Sequence, residues 1–252
     1  MSIWGKVIGG VAGFALGGPL GAILGVAAGH AVDKVKASEA GAGPSTFTGY
    51  GPDARQVAFT TAIIVLAAKM AKADGRVTPD EIATFKRIFQ IPPGEQKSVA
   101  EIWRAATRDA AGYEPYAQQI ATLFHGEPEV REELLGALFH IAKADGVLHP
   151  NELQMLTRIA GIFGFDAAQF ERIRAIHLGG DAAADDPYEI LGLSPEADDE
   201  TVKRTYRKLS RENHPDALVA KGVPQEFIEL ANEKMAAINA AYDRVAKSRG
   251  LK

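Results

Sequence analysis

The chain has 252 residues, with 28 lysines and arginines against 32 aspartates and glutamates, and it contains no cysteine. This length allows one or two domains with additional tails, and the 46% share of apolar residues excludes global disorder. The lack of cysteine excludes disulfides, cysteine-ligated zinc, iron–sulfur clusters and a thiol nucleophile. The net charge of −4 argues against a protein that mainly binds nucleic acid.

The N-terminal segment is apolar and contains regularly spaced glycines. No lysine, arginine, aspartate or glutamate occurs between Val7 and Val32. This segment is long enough for a bilayer-spanning helix, which needs about 20 residues. We therefore predict a transmembrane anchor over residues 1–36. A cleaved signal peptide and a soluble Gly/Ala-rich tail are alternatives that these residues leave open. Every fourth residue is a glycine, which lets two helices pack closely in lipid and predicts a homodimer through Gly9, Gly13, Gly17, Gly21, Gly25 and Gly29.

An internal repeat marks the middle of the chain. Residues 37–52 are small and glycine-rich, as is typical of a linker, and residues 53–177 have helical spacing. Within them, KADGRVTPDEI at residues 72–82 recurs as KADGVLHPNEL at residues 143–153. In each copy the glycine is placed to end one helix and the proline to begin the next. The repeat resembles TerB-like, tellurite-resistance-type domains, which implies a helical bundle.

The repeated acids have two interpretations. They cap helices, as in the capping box that begins at Thr78, or they supply oxygen ligands to a divalent metal if the two copies pair. Capping is the favoured interpretation, because the spacing is not that of an EF-hand loop. A metal-responsive sensor is the alternative function, and its candidate ligands are Asp74, Glu81, Asp145 and Glu152. A separate acidic cluster at residues 127–133 is predicted to be a solvated helix face.

The last part of the chain predicts a helical hairpin. Residues 178–186 are typical of a second linker, and a short helical turn follows at residues 187–193. A helix from about Asp199 to Glu212 has an apolar face and an opposite cationic face, and a long helix runs from about Pro224 to Lys247. We expect a tight loop between them, with His214, Pro215 and Asp216 at its exposed tip. The cationic face comprises Lys203, Arg204, Arg207, Lys208 and Arg211.

Three sequence segments in this region carry a family resemblance. DPYEILGL, VKRTYRKLSRENHPD and INAAYDRV occur in this order, and they resemble the J-domain of DnaJ-type co-chaperones over residues 187–252. The resemblance implies that His214, Pro215 and Asp216 stimulate ATP hydrolysis by a DnaK-type chaperone. It also implies that the five cations dock on an acidic surface of that chaperone and that the chain is not itself an enzyme. Ala217 departs from the Lys or Arg that many J-domains have there.

The order of segments extends the resemblance to the whole chain. A glycine-rich span, a TerB-like domain and a C-terminal J-domain resemble the membrane-anchored DjlA-type co-chaperones, which implies an all-α fold. Because a J-domain needs ATP and a DnaK-type partner, we expect a single-pass protein of the bacterial inner membrane with its C-terminal domains in the cytoplasm, and this argues against a signal peptide. The helical domain is expected to recruit client proteins. No resident cofactor is predicted apart from the alternative divalent metal.

Overall fold

The computed structural model describes residues 18–21, 52–74, 82–83, 85–86, 91, 93–108, 112–144, 146–178 and 186–251. Over these ranges the chain is helical and contains no β-strand, as the predicted all-α class requires. The helices of the first domain are α1 (Pro52–Asp74), α2 (Gln96–Arg108), α3 (Glu114–Leu123), α4 (Pro128–Ala142), α5 (Pro150–Ile162) and α6 (Ala167–Leu178). Those of the second are α7 (Pro187–Leu191), α8 (Asp199–Glu212), α9 (Pro215–Ala220) and α10 (Ile228–Arg249).

Helix α1 is the centre of the first domain. Its residues from Val57 to Ala71 are buried on every side, because a helix that is apolar all round must be enclosed by others. Helices α2, α3, α4 and α5 pack around it. Lys69 is also buried, and its ammonium group lies 5.0 Å from the centre of the Tyr116 ring. This cation–π contact offsets part of the cost of burying the charge.

Glycines mark the helix boundaries of the first domain. Gly126 and Gly164 both have positive φ angles and lie between helices, as does Gly146 with φ of 86°. The second copy of the repeat therefore folds as expected, because Gly146 follows the end of α4 and Pro150 begins α5. The turn of the first copy lies outside the described residues.

The second domain has its own small core between α7, α8 and α10. Val202, Ile238 and Val245 are fully buried there. The Tyr206 and Tyr242 rings stack with their centres 3.9 Å apart, which joins α8 to α10. At the far end, Arg249 donates hydrogen bonds to the Tyr188 hydroxyl and to the carbonyls of Ala197 and Pro195. These bonds tie the end of α10 to α7 and to the start of α8.

The connection between α8 and α10 is more structured than a tight loop, and that prediction is wrong. Pro215 begins the additional six-residue helix α9, and a 3₁₀ turn at Gln225–Phe227 precedes α10. The loop sequence forms a helix because proline fits the first helical position. In addition, Leu218 has an apolar surface to bury against.

The two domains pack against each other, a contact that was not predicted from the sequence. Helix α7 contacts α6, and α10 contacts both α4 and α6. The predicted linker at residues 178–186 lies between the end of α6 at Leu178 and the start of α7 at Pro187. The predicted domain limits, residues 1–36, 37–52, 53–177, 178–186 and 187–252, stay predictions.

The predicted anchor falls almost entirely outside the described residues. Of the glycine stripe, Gly21 alone is described; it is buried, and the neighbouring Leu20 N–H donates to the Gln119 side chain at 2.8 Å. Gly9, Gly13, Gly17, Gly25 and Gly29 lie outside. Among the described residues, no helix is both long and apolar enough to cross a bilayer.

Candidate functional site

The His-Pro-Asp tripeptide lies at the junction of α8 and α9. His214 caps the N-terminus of α9, where its Nδ1 accepts a hydrogen bond from the Asp216 N–H at 3.2 Å. Pro215 occupies the first helical position, where its fixed φ suits the turn. The side chains of His214 and Asp216 are 58% and 94% exposed. The Asp216 carboxylate is therefore available to a partner protein.

Helix α8 leads into this tripeptide and carries the predicted cationic face. Its N-terminus is capped by Asp198, which accepts from the Thr201 N–H at 2.6 Å, and that bond lowers the pKa of Asp198. Val202 and the Tyr206–Tyr242 stack hold its other face against α10. Lys203 is half-buried, and the remaining cations are exposed: Arg204, Arg207, Lys208 and Arg211. The structure therefore brings a positive surface and the tripeptide to one end of the second domain.

The segment after the tripeptide is anchored in the first domain. Leu218 and Val223 are buried in the core that α1 and α4 build. The Phe227 ring meets the Phe59 ring of α1 edge to face, with centres 4.9 Å apart. Lys221 forms a salt bridge with Glu129 at the start of α4. The residues that follow His214 therefore belong to both domains.

Gly222 lets α1 approach this segment closely. Its φ of +100° is in the region that side chains rarely adopt, and a Cβ there would lie 2.7 Å from the Cβ of Arg55. Glycine is thus required at this position for two independent reasons. The guanidinium of Arg55 continues the contact by pairing with Glu127, which precedes α4.

A buried charge cluster lies deeper in the interface, between α4, α6 and α10. The Lys234 ammonium is 2.8 Å from a carboxylate oxygen of Glu132 and 2.8 Å from one of Glu133. Arg172 of α6 pairs with the other oxygen of Glu132 at 2.6 Å. The charges of the two carboxylates and the two cations therefore balance. The predicted solvated acidic face is wrong at Glu132 and Glu133, because their partners come from the second domain and from α6.

Burial and pairing shift the ionisation of the cluster. Burial alone would raise the pKa of Glu132, but Lys234 and Arg172 outweigh it and hold the pKa at about 2. Burial also acts to lower the pKa of Lys234, yet the two carboxylates raise it overall. For Glu133, burial exceeds the effect of Lys234 and raises the pKa. Lys234 is therefore held in its charged form between α4 and α10.

Two histidines flank this cluster. The Nε2 atom of His140 and the Nδ1 atom of His177 lie 3.2 Å apart. Burial, followed by the neighbouring His140 and Lys234, lowers the pKa of His177 well below its usual value. A Cβ at residue 136 would lie 2.4 Å from the His177 ring, so Gly136 allows α6 to pack directly on α4. No ligand spacing in the sequence gave His140 a role, and its closeness to His177 depends on the packing of α6 on α4.

The predicted metal ligands are only partly described. Glu152 is buried, and its carboxylate accepts the His149 N–H at 2.9 Å, which is the capping contact that the sequence favours. Asp74 is the last residue of α1, while Glu81 and Asp145 lie outside the described residues. Within the described ranges, no group of three or more His, Asp or Glu side chains is arranged to hold a metal. Metal binding by these acids stays a prediction.

Comparisons with known proteins agree with this layout. Residues 1–49 match the family described as the co-chaperone DjlA transmembrane domain, residues 60–175 match tellurite resistance protein TerB, and residues 186–249 match the DnaJ domain. No solved structure matches the chain significantly.

Similar proteins match over their whole length. The co-chaperone protein DjlA of Vibrio parahaemolyticus is 36% identical over 285 residues, covering 100% of both chains. That of Photobacterium profundum is 34% identical and covers 99% of this chain and 100% of its own. The Escherichia coli K12 protein of the same name is 28% identical, with 100% of both covered. The chain therefore belongs to the DjlA family of co-chaperones.

Proposed function

We propose that the chain stimulates ATP hydrolysis by a DnaK-type chaperone, with the chemistry taking place in that partner. The observation that carries the proposal is the exposed His-Pro-Asp tripeptide beside a cationic helix, within a region that matches the DnaJ domain. The Asp216 carboxylate offers a directional, charge-assisted hydrogen bond to an arginine of the partner. The cations of α8 attract an acidic surface and orient the encounter.

The tripeptide acts by holding a fixed conformation that the partner chaperone contacts. His214 holds the Asp216 backbone through its Nδ1 atom, and Pro215 fixes the backbone at the helix start. The ring is not paired with a nucleophile in the described part of the chain, so a role as general base has no structural support. His214 therefore serves the geometry of the loop.

Single-turnover ATP hydrolysis by a cognate DnaK-type chaperone tests this proposal. The full chain is reconstituted in nanodiscs and compared with its His214→Gln variant and with His125→Gln, which alters an exposed histidine of the first domain. We expect acceleration by the wild type and by His125→Gln, and none by His214→Gln. Equal acceleration by all three chains would contradict the assigned role of the tripeptide.

We further propose that the chain is tethered to the bacterial inner membrane by one N-terminal span, with both helical domains in the cytoplasm. The match of residues 1–49 to the family transmembrane domain supports the tether. The need of a J-domain for ATP and a DnaK-type partner supports the orientation. In spheroplasts, external protease should leave the C-terminal domains intact, whereas their digestion before lysis would contradict this topology.

The spacing of the glycines supports a homodimer through the anchor. Crosslinking in membranes should weaken when Gly9 and Gly13 of the stripe are both replaced by leucine, because the larger side chains separate the two backbones. Replacement of Ala12 and Ala15 by leucine is the matched control within the same segment. Unchanged crosslinking in the glycine variant would rule out this contact.

The TerB-like domain is proposed to recruit client proteins, with a metal-responsive sensor as the alternative. Calorimetry of the full chain with calcium, magnesium, manganese and zinc separates the two. Heat that disappears in the Asp74→Ala and Asp145→Ala double variant would support the sensor. The capping contact of Glu152 favours the first proposal, because that carboxylate is already engaged by the His149 N–H.

A further inference from the structure

The segment that follows the His-Pro-Asp tripeptide has its apolar side chains in the core of the other domain. The core of the second domain includes Ile190, Val202 and Ile238. A different set of residues, from α9 to the start of α10, is buried together with α1 and α4 of the first domain. This set comprises Leu218, Val223, Phe227, Leu230 and Ala231. The first domain thus supplies the surface on which this segment folds.

Helix α9 is too short to be stable without the surfaces on which it packs. It has six residues, and isolated helices shorter than about 12–15 residues are marginal in water. Its buried side chain, Leu218, belongs to the hydrophobic cluster that includes the first-domain core, and α9 itself also contacts α8 and α10. His214 caps this helix and Pro215 begins it. The conformation of the tripeptide is consequently linked to the packing of Leu218.

Charged contacts fix the position of this segment at both ends. Near the tripeptide, Lys221 pairs with Glu129, whose side chain is largely buried. Farther along, Lys234 lies between Glu132 and Glu133. A shift of α10 by one turn along α4 would leave these buried carboxylates without their cation, at a large desolvation cost. The interface therefore has one favoured register.

The docked arrangement keeps the chaperone-facing surface open. The His214 and Asp216 side chains are exposed while Leu218 and Val223 are buried. Four of the five cations of α8 are exposed as well. The first domain therefore packs behind the tripeptide and leaves it uncovered.

We infer that the TerB-like domain, by packing on the segment from Leu218 to Lys234, positions the His-Pro-Asp tripeptide for the partner chaperone. The inference rests on the proposed function, because it assigns a positioning surface to the proposed stimulatory loop. The docked arrangement is the active one. Loss of docking lets α9 fray and lowers stimulation without altering His214, Asp216 or the cations of α8.

The salt bridge between Lys221 and Glu129 allows a clean test. The variants are Lys221→Glu, Glu129→Lys and the double charge swap, with Lys247→Glu on the exposed side of α10 as the control. Glu129 lies in the first domain, so its replacement leaves the J-domain sequence unchanged. The swap restores an ion pair of reversed direction, which separates docking from any direct contact of Lys221 with the chaperone.

Two quantities are measured on the full chain in nanodiscs. The first is the distance distribution between spin labels at Gln118→Cys and Asp243→Cys, which are exposed positions in the two domains. Because the chain has no native cysteine, labels attach only there. The second is the chain concentration that gives half-maximal stimulation of ATP hydrolysis, measured without labels. Circular dichroism verifies that every variant keeps its helix content.

We expect a narrow distance distribution for the wild type and for Lys247→Glu. Each single variant should broaden it and raise the half-maximal concentration by about fivefold or more, and the charge swap should reverse both effects. Broad distances in the wild type would overturn the inference, as would single variants that broaden the distribution without changing stimulation. A wild type with narrow distances and no stimulation would instead overturn the proposed function on which the inference rests.

Discussion

Lys234 of α10 and Glu133 of α4 lie 2.8 Å apart, from ammonium nitrogen to carboxylate oxygen, and neither side chain is exposed to solvent. The two residues are 101 positions apart in the chain. Charges at such depth are tolerated only when they are paired, since removal from water is costly. This buried pair therefore fixes how α4 and α10 pack against each other.

Replacement of Lys234 by methionine should destabilise the folded chain strongly. The change leaves Glu133 buried without its cation, and breaking a buried pair in this way costs about 3–5 kcal/mol. Urea denaturation of the full chain measures the loss. Lys247→Met, on the exposed side of the same helix, is the control and should alter the free energy of unfolding little. A double variant, Lys234→Met with Glu133→Gln, should recover part of the loss, and a failure to recover any would argue against the pairing as its cause.

Acidification below neutral pH should destabilise the folded chain through His177. Its pKa is lowered in the folded state by burial first and then by His140, Lys234 and Arg172, against the opposing charge of Glu132. The unfolded chain binds a proton near pH 6.5 while the folded chain does not. The stabilisation is therefore complete above pH 6.5 and declines below it, by up to about 1.4 kcal/mol per pH unit.

Urea unfolding between pH 7.5 and 5 tests this dependence. That window lies above the range in which Glu132 titrates, because the pKa of Glu132 rises only from about 2 to its usual 4.5 on unfolding. The raised pKa of Glu133 acts in the opposite direction, since proton uptake by the folded chain stabilises it as the pH falls. The His177→Gln variant should show a shallower decline over the same range. An identical decline in the variant would assign the pH dependence to other groups.

Two glycine-to-alanine substitutions should have opposite effects. Alanine is favoured over glycine in a helix by about 1 kcal/mol, and at Gly161 of α5 nothing lies within 4 Å of the added Cβ, so Gly161→Ala should stabilise the chain. At Gly136 the Cβ would lie 2.4 Å from the buried His177 ring, so Gly136→Ala should destabilise it. Thermal unfolding of both variants decides the matter, and stabilisation by both would contradict the close packing of α6 on α4.

The cations of α8 should govern binding to the chaperone without supporting the fold. Arg207 and Arg211 are exposed, so their replacement by alanine should change the free energy of unfolding by no more than about 0.5 kcal/mol. Binding to an acidic surface should become several-fold weaker and less sensitive to salt. Fluorescence anisotropy at low and high salt, with Lys97→Ala as the exposed control on α2, measures both. Unaltered affinity and salt dependence would remove these residues from the docking surface.

Local patterns predicted most of the helices. The start of α8 at Asp199 and its end at Glu212 agree with the sequence, because an acidic N-terminus and a following proline mark them. Gly146 has a positive φ angle, as its predicted place just after a helix end indicates. The positions of the α8 cations also follow from spacing within one helix, and the proline of the tripeptide marks the end of that helix.

Relations between the domains could not be predicted in this way. From the sequence alone, Glu132 and Glu133 are expected on a solvated helix face. Their partner Lys234 is distant in the chain, and no residue near the two glutamates indicates it. One signal was present. Leu230, Ile238 and Val245 recur on one face of α10, and a lysine at position 234 fills the gap in that series. A charge on an apolar face indicates a buried partner on another element.

The shared core has a consequence for how the molecule comes apart. Because Leu218, Val223 and Phe227 are buried with α1, a cut between Leu178 and Pro187 would expose an apolar surface on each fragment. Fragments of this kind tend to associate or aggregate. The intact chain should accordingly melt in one cooperative calorimetric transition, although its sequence divides into two families. We therefore expect the TerB-like and J-type regions of the wild-type chain, in which they are docked, to unfold together.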